Sequence, residues 1–170
     1  MRLKLRGNPY GNGRAIFSEQ VVALLGRLIG APVPEVRLVT ITAELLALVN
    51  IDLGGHAAAP GLHHGSCWAN GFSDRMDFVR YRDRNREAFA ALHLLYSWLQ
   101  CAGDQQDAVP LDPAFAPLDL LPAEYGPALD KLEAVAADAI ADVVSTPPEE
   151  WGISRDDRMA FAGHISRACP

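Results

Sequence analysis

Residues 1–20, MRLKLRGNPYGNGRAIFSEQ, decide how the front of this chain is built. Met1 to Leu5 alternates apolar and basic side chains, the period-two pattern of a strand. The glycines, Asn and Pro of residues 7–13 then make a turn, each for its own steric reason. From about 14 to 29, Phe17, Val21, Leu24, Leu25 and Leu28 return to one face, which predicts a helix. The result is strand, turn, helix, with Lys4 on the strand and Glu19 on the helix. Gly7, Gly11 and Gly13 lack the spacing of a Walker loop, and no Lys-Ser follows Arg14. GNGRAI also lacks the third glycine of a dinucleotide fingerprint. The glycines therefore shape the turn.

Gly30 stops the helix, and Pro32 and Pro34 keep the chain extended beyond it. Val36 to Ile41 is β-branched-rich and predicts a second strand, after which Thr42 can cap a short helix through about 49. Residues 51–73 have no periodicity and are expected to form a long loop containing Gly and His. The stretch at 74–86, DRMDFVRYRDRNR, carries dense charge of both signs and is expected at the surface. A helix follows from about 84 to 102, with Phe89, Leu92, Tyr96 and Leu99 at helical spacing; Gly103 ends it, leaving Asp104 just beyond. Residues 107–122 are Pro-rich and irregular.

Leu129, Leu132, Val135, Ala136, Ile140 and Val143 predict one helix over about 123–144, broken by Thr146-Pro147-Pro148. Ser154, with Asp157 three residues on, resembles a capping box that opens a last helix bearing Phe161 and Ile165. No internal repeat is visible. The fold class is α+β, mostly helical, in a single domain of residues 1–170.

Composition bounds the function. With 170 residues, 49% hydrophobic and 21% charged, the chain can bury a sizeable core and is not of the disordered class. A net charge of −6 argues against a general nucleic-acid binder. No apolar run reaches membrane-spanning length and no signal-peptide core is visible, so a cytoplasmic protein is expected. Cys67, Cys101 and Cys169 are odd in number and form no CxxC pair, which suits a reducing compartment.

Four constellations bear on chemistry. His56, His63, His64 and Cys67 are zinc-ligand types gathered in HAAAPGLHHGSC, but their spacing matches no established ligand pattern. Ser66 or Cys67 beside His63 or His64, with Asp74 as the acid, would make a nucleophile and base, although no GxSxG elbow is present. Lys4 and Glu19 stand as a strand lysine and helix glutamate do in kinases, where the pair is fixed against nucleotide phosphates. An exposed lysine and a helix-face glutamate are also common without any ligand. Asp104, after a long apolar helix, is placed to accept a proton from an attacking hydroxyl, or is a simple loop acid.

In order, KLRGNPYGNG, the helix with Glu19, LLGRLIGAPVPEV, GLHHGSCW, LLYSWLQCAGDQQ and DAIADVVSTPPEEWGI resemble the small bacterial HipA-like kinase-domain proteins, over about residues 3–166. These are relatives of the HipA serine kinases within the protein-kinase-like fold. The resemblance implies an N-lobe remnant at about 1–50 and a helical C-lobe at about 74–170. It also implies that Lys4 contacts ATP phosphates, that Glu19 pairs with it and that Asp104 is the catalytic aspartate, acting as base, with ATP and Mg²⁺ as cofactors. No role follows for GLHHGSCW.

The chain departs from the family in three places. The Asp-His-Gly segment whose aspartate would bind Mg²⁺ is missing, and Asp107 and Asp112 lack its context. Gln105 and Gln106 occupy the region of the metal-holding asparagine. The two strands that would precede the lysine strand and cover the nucleotide are expected to be absent. Two functions are therefore expected as alternatives: an ATP-dependent phosphotransferase with reduced or lost activity, or a non-catalytic kinase-like module that binds a protein. In either case the open sheet edge is expected to pair with a second copy or another protein.

Overall fold

The computed structural model describes residues 1–6, 13–49, 58–67, 82–99 and 120–168. Among these, the order is β1 (Arg2–Lys4), α1 (Gly13–Leu28), β2 (Val36–Ile41), α2 (Ala43–Leu48), β3 (Gly61–Ser66), a 3₁₀ turn (Arg82–Asn85), α3 (Arg86–Trp98), α4 (Pro122–Glu133), α5 (Ala137–Ser145), a second 3₁₀ turn (Glu149–Trp151) and α6 (Arg155–Ala168). The chain is α+β and mostly helical, as expected. Among the described residues no helix is long and apolar enough to cross a membrane.

The sheet has three antiparallel strands in the order β1-β3-β2. Its central strand is a correction, because GLHHGS lies inside the stretch expected to be loop. Two glycines and two histidines give little intrinsic strand preference, and a strand flanked on both edges and buried on both faces need not alternate in polarity. Pairing with β1 and β2 forms it. The register sets Lys4 opposite His64 and His64 opposite Leu38, so these three share one face of the sheet.

Helix α1 lies across that face. Ile16, Phe17, Val21 and Leu25 are buried, while Leu28, expected to join them, is 38% exposed, and Ile29 beyond the helix end takes the inward place. Gly30, at φ 75°, closes α1 in a Schellman motif: Ala31 N–H donates to Gly26 O and Gly30 N–H to Arg27 O. Thr42 caps α2 as expected, its hydroxyl accepting from Leu45 N–H.

Two further expectations need correcting. Leu99, just past α3, is buried and Leu92 packs against the core, but Tyr96 is exposed, and the most buried face of α3 carries Ala90, Ala91, Leu95 and Trp98. Both sets satisfy helical spacing, so periodicity alone does not choose between them. The single helix expected over 123–144 is two helices, with Ala136 extended between them. No Gly or Pro marks that break. It lets Leu132 and Ile140 both reach the core, each burial contributing roughly 1.5–3 kcal/mol.

The core joins α1, α3, α4, α5 and α6 around Ile16, Leu25, Leu95, Leu132, Ile140 and Ile165. Ser154 caps α6 by accepting from Asp157 N–H and donates its own hydroxyl to the Asp157 carboxylate, so the box is closed through the hydroxyl.

Candidate functional site

The site begins with Lys4 at the end of β1 and Glu19 nearly two turns into α1. Because α1 crosses the sheet face to which Lys4 points, the ammonium reaches the Glu19 carboxylate and forms an ion pair with its Oε1. The two side chains are 37% and 33% exposed, so the pair is open enough for a solute anion to reach the lysine. An ion pair this exposed contributes little to stability, at most about 1 kcal/mol. Its value lies in holding a charge in a set place.

Behind the pair lies a buried polar layer. His64, only 3% exposed, donates from Nδ1 to Gln20 Oε1 over 2.7 Å, and Gln20 itself is 2% exposed. The bond fixes the tautomer: with Nδ1 protonated, the neutral ring presents a bare Nε2. That nitrogen faces Glu19 Oε2 at 3.9 Å, beyond hydrogen-bond length. Burial is the main influence on His64 and holds its pKa below the usual imidazole value; Glu19 raises it in part and Lys4 lowers it further. The ring is therefore neutral near pH 7, and the 3.9 Å approach is no ion pair there.

His63 points to the opposite face of β3. Its Nδ1 accepts from the backbone N–H of Arg6 at 2.9 Å, which leaves the ring proton on Nε2. That buried N–H has no hydrogen-bond partner among the described residues. Burial also depresses the His63 pKa; the Ala59 backbone and Glu150 work the other way without offsetting it, and Arg6 adds to the depression.

The end of β3 is clamped from the C-terminal half of the chain. Glu150 accepts from Leu62 N–H and pairs with Arg6 at 3.0 Å, while the Trp151 indole donates to Leu62 O at 2.8 Å. The turn carrying these residues is held in its place by Arg158. That side chain is 7% exposed and donates to the carbonyls of Ile153, Val144, Pro147 and Pro148, and it sits 5.4 Å from the Phe17 ring centre.

Of the residues singled out in the sequence, Lys4 and Glu19 are thus brought together. Asp104 lies outside the described residues, as do His56, Asp74, Cys101, Gln105, Gln106, Asp107, Asp112 and Cys169. Among the described residues, no three His, Cys, Asp or Glu side chains are grouped to hold a metal ion. His63 and His64 project from opposite faces of one strand, so a zinc site using both is not formed there. Their Nδ1 atoms are engaged with Arg6 and Gln20, so neither of these nitrogens serves Ser66 or Cys67 as a base.

Gln20, Arg6, Glu150 and Trp151 were not singled out from sequence. Gln20 had a usable signal: it is a polar residue four positions after Ile16, inside the apolar stripe of α1, where a buried amide must find a partner. The others are joined by contacts some 60 to 150 residues apart in the chain and had none. Compared with protein-family models, curated proteins and solved structures, the chain matches none of them.

Proposed function

We propose that this chain is a HipA-like protein of the protein-kinase-like fold, with ATP-dependent phosphotransferase ancestry and reduced or lost activity. The observation that carries this proposal is the ion pair between a strand lysine and a glutamate on the following helix. That is the arrangement that holds a kinase lysine ready for nucleotide phosphates. Here Lys4 would contact the phosphates and Glu19 would orient it. Asp104 would accept the proton of the attacking hydroxyl.

The half-exposed Lys4 suits a phosphate oxygen. Mg²⁺ bound with ATP would supply charge stabilisation at the transferring phosphoryl group. The described residues offer no cluster of ligands for that metal, and the sequence lacks the Asp-His-Gly segment. Transfer is therefore expected to be slow or absent while nucleotide contact survives. Incubating the chain with γ-labelled ATP and Mg²⁺ tests transfer. Label on the chain or on an added protein, lost in Asp104→Ala, supports an active phosphotransferase. ATP binding without label transfer supports the degenerate form.

A second function, a non-catalytic module that binds a protein partner or a second copy along the sheet edge, is favoured by one feature. The short helix α2, directly after edge strand β2, buries none of its residues, and Leu45, Leu48 and Val49 are 47%, 83% and 45% exposed. Sedimentation at rising concentration tests self-pairing. A dimer lost in Leu48→Glu supports it, and a monomer at high micromolar concentration removes the second copy as the partner.

A further inference from the structure

His64 and Gln20 form a buried pair with no counterpart in the chemistry proposed so far. A buried His–amide bond needs a reason, since two apolar side chains of similar shape could fill the same space with less desolvation. The geometry supplies one. The Glu19 carboxylate divides its oxygens, Oε1 toward Lys4 and Oε2 toward His64 Nε2. Gln20 fixes the ring plane and tautomer, so the nitrogen facing the carboxylate is the one that can gain a proton.

We infer that His64, held by Gln20, is a positioning residue for Glu19 and gives the Lys4–Glu19 pair a second, proton-dependent partner. With His64 neutral, Nε2 and Oε2 are two acceptors face to face, and the carboxylate is committed to Lys4. When Nε2 gains a proton it becomes a donor, and the 3.9 Å gap can close to a charge-assisted hydrogen bond. Glu19 is then held by two cations at once, and Lys4 has a smaller share of its charge.

Each element packed around the ring bears on this titration. α1 presents Glu19 and Gln20, β1 presents Lys4 directly opposite, and β2 presents apolar Leu38. Glu19 is therefore the acid at the ring and Lys4 the opposing cation. This inference rests on the proposed site only for its consequence: a nucleotide phosphate would compete for Lys4 more easily as the pH falls.

The test uses the full 170-residue chain without nucleotide, so failure of ATP binding and failure of this coupling are separate results. The Lys4 side-chain ¹⁵Nζ and ¹³Cε resonances and the His64 ring resonances are followed by NMR as the pH is lowered. Lys4 is expected to move with the same midpoint as His64, and to lose that inflection in His64→Gln while the amide spectrum stays dispersed. Gln20→Glu should move both midpoints upward together, by about one pH unit or more, because it adds an acid against the ring. If Lys4 passes through the His64 titration without an inflection, the inference is wrong. It is equally wrong if the Lys4 inflection persists in His64→Gln. Should His64→Gln fail to fold, the two midpoints in the unmodified chain and in Gln20→Glu still decide.

Discussion

Arg158→Ala removes the donor shared by four backbone carbonyls, those of Val144, Pro147, Pro148 and Ile153. The Pro148 carbonyl also accepts from Trp151 N–H at 3.2 Å, so the loss falls mainly on the buried Val144, Pro147 and Ile153 carbonyls. Each charge-assisted bond is worth about 1.5–3 kcal/mol, but water can reach the part-buried Pro148 carbonyl and the losses are not additive. The expected cost is about 3–5 kcal/mol, the usual range for breaking a buried charged contact. At about 2–4 °C per kcal/mol, Tm should fall by roughly 6–20 °C.

Urea unfolding is the assay, with the midpoint expected to drop and the slope to stay unchanged. Arg158→Lys should recover only part of the loss, because one ammonium cannot span four carbonyls in the way a planar guanidinium does. The effect should also resist about 0.5 M salt, since the acceptors are carbonyls and not exposed carboxylates. A loss under about 1 kcal/mol, or full stability in Arg158→Lys, would mean that Arg158 does not hold this turn through its carbonyl bonds. The substitution also reaches the site, because the same turn carries Glu150 and Trp151 onto the end of β3. Hydrogen exchange at Leu62 should rise in Arg158→Ala even under conditions where the chain stays folded.

Three further outcomes are expected. His63 and His64 both have depressed pKa values in the folded chain. Below the usual imidazole pKa of about 6.5 the unfolded chain binds protons that the folded one resists. Stability should therefore be fully present above about pH 6.5 and fall as the pH drops through the window down to the folded values; urea midpoints that do not change between pH 7.5 and 5 would contradict this. Gly13→Ala would place a Cβ 1.7 Å from Trp151 O, so α1 or the turn must shift, at about 1–3 kcal/mol; unchanged thermal unfolding would show that the approach is not tight. Glu19→Gln should cost under about 1 kcal/mol, because the ion pair is one-third exposed; a larger loss in urea would mean that Glu19 has a structural role beyond Lys4.

The front of the fold was largely legible. Alternation in residues 1–5, an apolar stripe over 14–29 and β-branched residues at 36–41 are local signals, and they correspond to β1, α1 and β2. The contact of Lys4 with Glu19 follows from two of those elements, because the helix that follows the strand packs across its face. β3 was not legible, since GLHHGS becomes a strand only when β1 and β2 flank it. The end of the α5 helix at Thr146-Pro147-Pro148 was announced by its prolines, whereas the break at Ala134–Ala136 was not, because it answers to core packing and uses no special residue. The His64–Gln20 bond joins residues 44 apart. It was only half-visible, as a glutamine in an apolar stripe with no indication of its partner.

The proposed function stands or falls with a nucleotide-phosphate contact at Lys4, paired with Glu19. The most direct test is a thermal shift of the 170-residue chain with ATP and Mg²⁺, beside Lys4→Ala. Ligand at a hundred times its Kd stabilises by about 2.7 kcal/mol, a rise of roughly 5–11 °C for a chain of this size. That rise is expected in the unmodified chain, and its loss in Lys4→Ala. No shift at millimolar ATP, or the same shift in Lys4→Ala, would contradict it.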